Sequence, residues 1–176
     1  EAAKGTEVVI HMAGIIHPKR IEDLYEINTR GTVNLLAAAV ENGVRRFLFI
    51  SSNSVGGSRK RGILMKESDP PCPYMHYGKS KHLAEKAVKS YQDRMEAVIL
   101  RPCWYYGPNQ PDRQTTFFRM IKKGRPIVFG SGRNLRSMTY LDNLCQAMIL
   151  AAEHPQAPGK TYWIDDERPY ATNEIY

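Results

Sequence analysis

Short apolar runs alternate with longer amphipathic stretches along the first part of the chain. Three runs are dense in Val, Ile, Leu and Phe and end in small or polar residues, as buried parallel strands do; they lie at residues 7–14, 46–52 and 97–100. Between them, apolar residues recur at helical spacing over residues 21–42 and 77–94, which predicts two amphipathic helices. Strand, helix, strand, helix, strand predicts an α/β fold with a parallel sheet.

After Gly107-Pro108 the pattern becomes shorter and less regular. It predicts helices over residues 115–123 and 143–153, with Asp142 as the N-cap of the second helix. It also predicts strands over residues 127–129 and 161–164, and a turn at 130–132. The later part of the chain is therefore expected to combine further sheet with a smaller, mixed unit.

Composition excludes several classes of protein. The chain is 42% hydrophobic and 24% charged, as ordinary globular domains are. No apolar run approaches the roughly 18 residues of a membrane span, and the opening residues do not form a signal peptide. These observations predict no membrane partner and a cytoplasmic location. Scattered cysteines (Cys72, Cys103, Cys145) and histidines without ligand spacing predict no disulfide framework and no metal site.

The net charge of +7 raises the question of an anionic partner. Basic residues cluster at 59–61 and 122–125, followed by Arg133 and Arg136. No helix-turn-helix, zinc-finger or RNA-recognition pattern accompanies them. A solvated surface and a phosphate group on a small ligand both remain open, and nucleic acid is not expected as a partner.

The strongest candidate chemistry is Tyr77 and Lys81, which stand four residues apart in a predicted helix and so share one face. A tyrosine is a poor base at neutral pH, and bringing its pKa within one unit of pH 7 takes about 2 units, or roughly 2.7 kcal/mol. One cation at about 4 Å contributes on the order of 4 kcal/mol at an effective dielectric constant near 20. The pair is therefore a candidate proton-transfer group, although its spacing alone is common by chance.

Six segments, in this order, make the chain similar to the extended short-chain dehydrogenase/reductase family, specifically its NAD-dependent epimerase/dehydratase group. One of them is Tyr-Gly-Lys-Ser-Lys at 77–81, and another ends in Tyr-Gly-Pro at 106–108. All six lie at residues 9–13, 28–34, 49–55, 77–81, 100–108 and 136–143. The resemblance implies a Rossmann-like, doubly wound parallel sheet, present in part. It divides the chain into the C-terminal half of a dinucleotide-binding domain (1–108) and a mixed segment (109–176) that contributes to the sheet and to a small, truncated C-terminal substrate lobe.

The resemblance also implies roles for individual residues. Tyr77 matches the catalytic acid/base, and Lys81 would hold the nicotinamide ribose and lower the Tyr77 pKa. Ser52 would hydrogen-bond the substrate oxygen that becomes a carbonyl. NAD or NADP would be the cofactor, with NAD favoured. The positions that would bind it are His11, Ala13, Asn28, Ser51, Tyr77, Lys81, Pro102 and Cys103.

The substrate positions implied by the same match are Ser52, Asn53, Trp104 and Arg136, with Arg136 near a diphosphate. Simpler interpretations stay open: the serines could merely end a strand, His11 could be a core residue, Asn28 could bond backbone, and Arg136 could be a surface charge. Trp104 could equally be a core aromatic residue.

By resemblance, the expected reaction is 4-epimerisation of a nucleotide sugar through a keto intermediate. The Asp-Glu pair of the sugar dehydratases is replaced by Asn53-Ser54, which disfavours elimination, and Gly56 stands where the family often has Tyr. Alternatives are an oxidoreductase of the 3β-hydroxysteroid dehydrogenase or dihydroflavonol reductase type, and a catalytically incomplete fragment.

The family's glycine-rich, pyrophosphate-binding turn would lie ahead of Glu1, and the chain is therefore expected to be a piece of a longer polypeptide that could be inactive alone. Relatives commonly form homodimers, which by resemblance would here use helices 21–42 and 77–94.

Overall fold

The computed structural model describes residues 3–58, 60, 63–128 and 130–176. The elements of this part follow in chain order: β1 Val8–His11, α1 Ile21–Leu24, a π-helical turn Tyr25–Arg30, α2 Gly31–Glu41, β2 Arg46–Ile50, a 3₁₀ turn Asn53–Val55, α3 His76–Lys89, β3 Glu96–Pro102, β4 Trp104–Tyr106, α4 Asp112–Lys122, β5 Leu135–Arg136, β6 Met138–Tyr140, α5 Leu141–Glu153, β7 Thr161–Ile164, β8 Tyr170–Ala171 and α6 Thr172–Ile175.

The central feature is a parallel sheet with the strand order β1-β2-β3-β7. Its register places Val8 opposite Arg46, Arg46 opposite Glu96, and Ile99 opposite Thr161. Because parallel strands need crossover connections, helices cover the faces of the sheet. The predicted α/β class, the first three strands and the strand at 161–164 are confirmed.

The two faces of the sheet carry separate hydrophobic cores, because successive side chains of a strand point to opposite sides. Phe47, Phe49 and Ile99 pack with Leu36 of α2 and Val88 of α3. On the other face, Leu48, Ile50, Val98 and Leu100 pack with Leu144 and Met148 of α5. Helices on both faces make the sheet doubly wound, which confirms the predicted Rossmann-like architecture.

The helix predicted over residues 21–42 is continuous in outline but has a π-helical turn at its centre. This turn inserts an extra residue into the helical repeat, a change that hydrophobic periodicity does not report. The helix predicted to reach residue 94 ends at Lys89, where the Ser90 amide donates to the carbonyl groups of Lys86 and Ala87.

The largest differences from the predicted elements come after Pro108. Ile127 and Val128 are not in a strand, and Phe129 lies outside the described residues, as do Arg59 and Arg61 of the first basic cluster. The short pairs β4–β6, parallel, and β5–β8, antiparallel, were not predicted. Such short strands form through long-range pairing, so the local sequence gives them little signal.

Asp142 is not the N-cap of α5, because the helix begins at Leu141. The N-cap residue is Tyr140, whose amide donates to Oδ1 of Asp166 in a distant loop at 2.9 Å, and the Asn143 side chain donates to the same oxygen at 2.8 Å. A side chain far along the sequence therefore binds the backbone where the helix begins.

None of the helices in the described part of the chain has the length and apolar character needed to cross a membrane. Within the same residues, no three His, Cys, Asp or Glu side chains stand close enough together to hold a metal ion.

Candidate active site

A cleft of about 170 Å³ opens at the carboxyl ends of the strands, beside the start of α3. Ligands of open α/β sheets bind at this edge. The lining includes Gly14 after β1, Ser51 after β2, Tyr77 and Lys81 of α3, and Pro102 at the end of β3. A hollow of about 220 Å³ near α5 and β7 is larger, but its lining is mostly aliphatic and holds neither Tyr77 nor Lys81, so the smaller cleft is the candidate site.

The start of α3 approaches the end of β2 closely because residue 78 is glycine. A Cβ atom at Gly78 would collide with the carbonyl oxygen of Ser54 in the 3₁₀ turn. This close approach brings Tyr77 against the residues that follow β2. The glycine after Tyr77 therefore allows α3 to pack directly against the 3₁₀ turn.

Lys81 is 3% exposed, and its Nζ donates to the carbonyl oxygen of Ile50 at 2.7 Å. The ammonium also lies over the Phe49 ring, 4.1 Å from its centroid. Burial lowers the Lys81 pKa to about 8, and the Glu85 carboxylate opposes this change. Lys81 and Tyr77 both line the cleft, as the spacing of four residues predicts.

The pKa of Tyr77 is raised rather than lowered. Burial is the main cause, Tyr105 adds to it, and a hydrogen bond with Ser52 opposes it. The expectation that Lys81 lowers the Tyr77 pKa is wrong for this structure, because the ammonium is bound to the Ile50 carbonyl and burial dominates the phenol.

Ser52 lies where β2 gives way to the 3₁₀ turn. Its Oγ accepts a hydrogen bond from the Ser54 amide at 3.2 Å, so Ser52 caps this turn. It also contacts the Tyr77 phenol and, at 3.4 Å, the Asn53 side chain. Ser52 therefore serves a local structural purpose and still meets Tyr77.

The His11 ring lies in the core rather than in the cleft. Its Nε2 is 2.9 Å from Thr32 Oγ1, and the rings of Phe47 and Phe49 are neighbours. Burial, followed by the charge of Lys81, lowers the His11 pKa to about 4, so the imidazole is neutral at pH 7. The ring is thus a core residue in this structure, and its contact with a cofactor stays a prediction. Ala13, two residues on, is exposed and directly precedes Gly14, which lines the cleft.

Asn28 lies behind the wall of the cleft. From the π-helical turn, its Nδ2 donates to the Ile15 carbonyl (2.9 Å) and to Ser80 Oγ (3.1 Å), and its Oδ1 accepts from the Ile15 amide (2.8 Å). All these partners belong to the protein. Asn28 therefore fixes the loop after β1 against α3, and its place beside the cofactor stays a prediction.

Cys103 was expected to offer its backbone to a nicotinamide carboxamide. Its amide instead donates to the Ile164 carbonyl at 2.9 Å, so that N–H is already used. Burial, with a contribution from Asp165, raises the pKa of the Cys103 thiol to about 12, and the thiol stays protonated. Pro102, just before it, does line the cleft.

Half-buried Trp104 and exposed Arg136 stack on each other outside this lining. The Arg136 guanidinium lies 5.3 Å from the Trp104 ring centroid, and Phe118 stacks on the same indole at 5.9 Å. The structure therefore brings the two predicted substrate residues together, on the side of β4 and α4.

Sequence reasoning missed a buried network behind the site. Glu85 and Arg101 form a bidentate ion pair, with both side chains 2% exposed, and Ser51 donates to the same carboxylate. One signal was present in the sequence: Glu85 follows Lys81 by four residues and so continues the face of Tyr77 and Lys81.

The residues of the cleft fit the nicotinamide ribose end of a dinucleotide. Lys81 gives one of its three N–H donors to Ile50, which leaves donors for ribose hydroxyl groups. At Gly14 a Cβ would stand 3.0 Å from Asn28 Oδ1, so a bare backbone forms this wall. Tyr77, Lys81 and the strand ends together define a Rossmann-like protein with a short-chain dehydrogenase/reductase type of site.

Comparison with known proteins shows to which family the chain belongs. The profile of the NAD dependent epimerase/dehydratase family matches residues 1–164, and the chain belongs to this family. It is 51% identical to an uncharacterised protein of Sinorhizobium fredii, covering 96% of this chain and 48% of that protein. It is 37% identical to UDP-glucose 4-epimerase of Vibrio cholerae, covering 98% of this chain and 56% of that enzyme.

Solved structures show the same Rossmann-like fold. MoeE5 in complex with UDP-glucuronic acid and NAD superposes with a TM-score of 0.86 at 26% identity, covering 98% of this chain and 60% of that one. The family predicted from the sequence is confirmed, and the expectation of an NAD cofactor is confirmed at the level of the family. The chain spans about half the length of the curated relatives that it matches.

Proposed function

We propose that the native protein interconverts C4 epimers of a nucleotide sugar with NAD as its cofactor. The observation that carries this proposal is that Tyr77 and Lys81 line one cleft at the strand ends, with Ser52 next to the Tyr77 phenol. Family membership and the UDP-sugar epimerase among the relatives support it.

Each of the three side chains has a role in this proposal. Tyr77 moves the proton of the sugar C4 hydroxyl, and its hydrogen bond to Ser52 lets the serine orient the same oxygen. Lys81, held by the Ile50 carbonyl, offers its remaining N–H donors to the cofactor ribose. When bound, NAD would supply the hydride acceptor for C4 and a positive charge that favours the tyrosinate.

The pKa of Tyr77 is raised by burial, so the phenol holds its proton before substrate binds. A protonated phenol is the form needed to return a proton to a keto-sugar oxygen. To accept the C4 hydroxyl proton in the first half of the reaction, the site must lower the Tyr77 pKa by the charge of its ligands. In this proposal Tyr77 is therefore protonated before the substrate and the cofactor bind.

A second candidate, oxidation of a 3β-hydroxysteroid-like alcohol, is favoured by one observation. Much of the cleft lining is apolar, with Met12, Ile16, Ile50, Leu141 and Leu144 among its residues. An apolar wall suits a steroid-like ligand better than a sugar. Asn53 and Ser54, in place of an acidic pair, disfavour sugar dehydration.

The test is a substrate screen with the native protein and added NAD. UDP-glucose, UDP-galactose, UDP-glucuronic acid and dTDP-glucose, each deuterated at C4, would be incubated and the epimers separated by chromatography. We expect one epimer pair to form with the deuterium retained at C4. No epimer from any of the four, together with NADH formation from a 3β-hydroxysteroid, would replace this proposal by the second candidate.

Several finer expectations stay predictions: the homodimer, the cytoplasmic location, binding of the diphosphate by Arg136 and Trp104, and the division at residue 108. Ile21, Ile27, Val33 and Leu83 are exposed on the helices that would form the dimer interface.

A further inference from the structure

Three side chains on one face of α3 each contact one of three consecutive residues at the end of β2. Tyr77 has Ser52 next to its phenol, Lys81 donates to the Ile50 carbonyl at 2.7 Å, and Glu85 accepts from Ser51 Oγ at 2.6 Å. The three lie four residues apart, one helical turn from the next. The proposed function uses the first two contacts and leaves the third without a role.

The Glu85 carboxylate is held at both oxygens. Arg101 Nε donates to Oε1 at 2.8 Å and Arg101 Nη2 to Oε2 at 2.6 Å, while Ser51 shares Oε1. Arg101 belongs to β3, and its guanidinium also lies 4.9 Å from the Trp163 ring centroid in β7. One carboxylate thus joins α3, the end of β2 and the end of β3.

Stability alone is a weak reason for such a pair. Desolvation of two buried charges offsets most of their attraction, and a well-packed apolar pair often folds equally well. The ion pair instead fixes an orientation. The planar guanidinium of Arg101 binds both oxygens of the Glu85 carboxylate and so holds that carboxylate in one orientation. That orientation faces Ser51, the residue directly before Ser52.

We propose that Glu85 is a positioning residue of this site: fixed by Arg101, it holds Ser51 and thereby sets where Ser52, Tyr77 and Lys81 meet. It touches neither substrate nor cofactor in this role. The inference rests on the proposed function for its effect on catalysis, but its effect on Lys81 does not depend on that function.

The charge of Glu85 also reaches Lys81, whose pKa it raises against the effect of burial. The other groups around Lys81 are His11 from β1, the Phe49 ring and Ile50 carbonyl from β2, and Tyr77 from its own helix. Arg101 is paired with Glu85. Removal of the carboxylate should therefore lower the Lys81 pKa further.

The first measurement follows the Lys81 ¹³Cε shift with pH in the intact chain, assigned by its loss in Lys81→Arg. In Glu85→Gln we expect the midpoint to fall by about one pH unit. If the unpaired Arg101 prevents folding, the neutral double variant Glu85→Gln/Arg101→Gln takes its place, and we expect a smaller fall in the same direction because a positive charge is removed with the negative one. A midpoint within about 0.2 unit of wild type would overturn the inference.

The second measurement is the kcat of Ser51→Ala, which removes one hydroxyl group and keeps the ion pair. Thr139→Val is its matched control, because Thr139 is also buried and donates to the Ile164 carbonyl at 2.7 Å. We expect kcat of Ser51→Ala to fall roughly 10- to 100-fold at unchanged KM, and Thr139→Val to keep its kcat at a similar loss of Tm. Equal kcat values for the two variants would also overturn the inference.

The two proposals fail separately. A wild-type protein that epimerises none of the nucleotide sugars contradicts the proposed function, and the Lys81 titration then decides the inference alone. An active wild type with unchanged Lys81 titration and unaltered Ser51→Ala kinetics contradicts the inference and leaves the function standing.

Discussion

His11, Lys81 and Cys103 have shifted pKa values for the same main reason, which is the loss of water around the charged form. The sequence identified all three as candidate site residues, and it could not show which would be buried. Lys81 still lines the cleft, because its long side chain carries the ammonium group over the Phe49 ring. His11, with a shorter side chain, ends in the core against Thr32.

The low His11 pKa predicts a loss of stability in acid. The pKa is about 4 in the folded chain and near 6.5 in the unfolded chain, so the unfolded state binds the extra proton as the pH falls below 6.5. The stabilising contribution is complete above pH 6.5 and is lost as the pH falls towards 4. Between pH 7 and pH 5 it should change by about 2 kcal/mol.

Urea unfolding of wild type and His11→Gln at both pH values measures this contribution. The difference between the two proteins should shrink by that amount at pH 5. The same replacement at the exposed His154 should leave the acid loss of wild type in place. An equal acid loss in wild type and His11→Gln would show that another group causes it.

At the scale of elements, β7 has its predicted bounds, α5 begins two residues before its predicted start, and α3 begins one residue early, because the patterns that predict these elements are local. The π-helical turn, the short strands β4, β5, β6 and β8, and the contact of Asp166 with the start of α5 were missed. Each depends on contacts between distant parts of the chain, such as Asn28 with Ile15 and Asp166 with Tyr140. Local periodicity cannot report such contacts.

Two helical glycines give a matched test of how α3 is placed. At Gly31 a Cβ would meet its nearest atom, the Glu26 carbonyl oxygen, at 3.8 Å, which is ordinary contact. Gly31→Ala should therefore raise the free energy of unfolding by up to about 1 kcal/mol. Gly78→Ala should lower it by about 1–3 kcal/mol, because the added methyl group meets the Ser54 backbone.

Denaturant unfolding of the two alanine variants, side by side, measures these opposite effects. If Gly78→Ala proved as stable as Gly31→Ala, α3 could not approach the end of β2 as closely as the structure shows. The contact between Tyr77 and Ser52 would then lose its structural basis.

At the scale of the whole molecule, the sheet and its two cores were predictable because apolar runs and helical spacing repeat in register along the chain. The site was predictable in part: Tyr77, Ser52 and Lys81 meet, whereas Asn28 and the Cys103 amide are used within the protein. The Glu85–Arg101 pair could not be inferred, since nothing local indicates that these two charges are buried together.

The central claim is that Tyr77 transfers the substrate proton. It is tested most directly by the kcat of Tyr77→Phe in the native protein, with saturating NAD and the nucleotide sugar found in the screen. Tyr74→Phe is the control, since Tyr74 is 67% exposed and three residues away. We predict a loss of roughly 10²- to 10⁴-fold for Tyr77→Phe and less than twofold for Tyr74→Phe. A Tyr77→Phe protein with wild-type kcat would contradict the account.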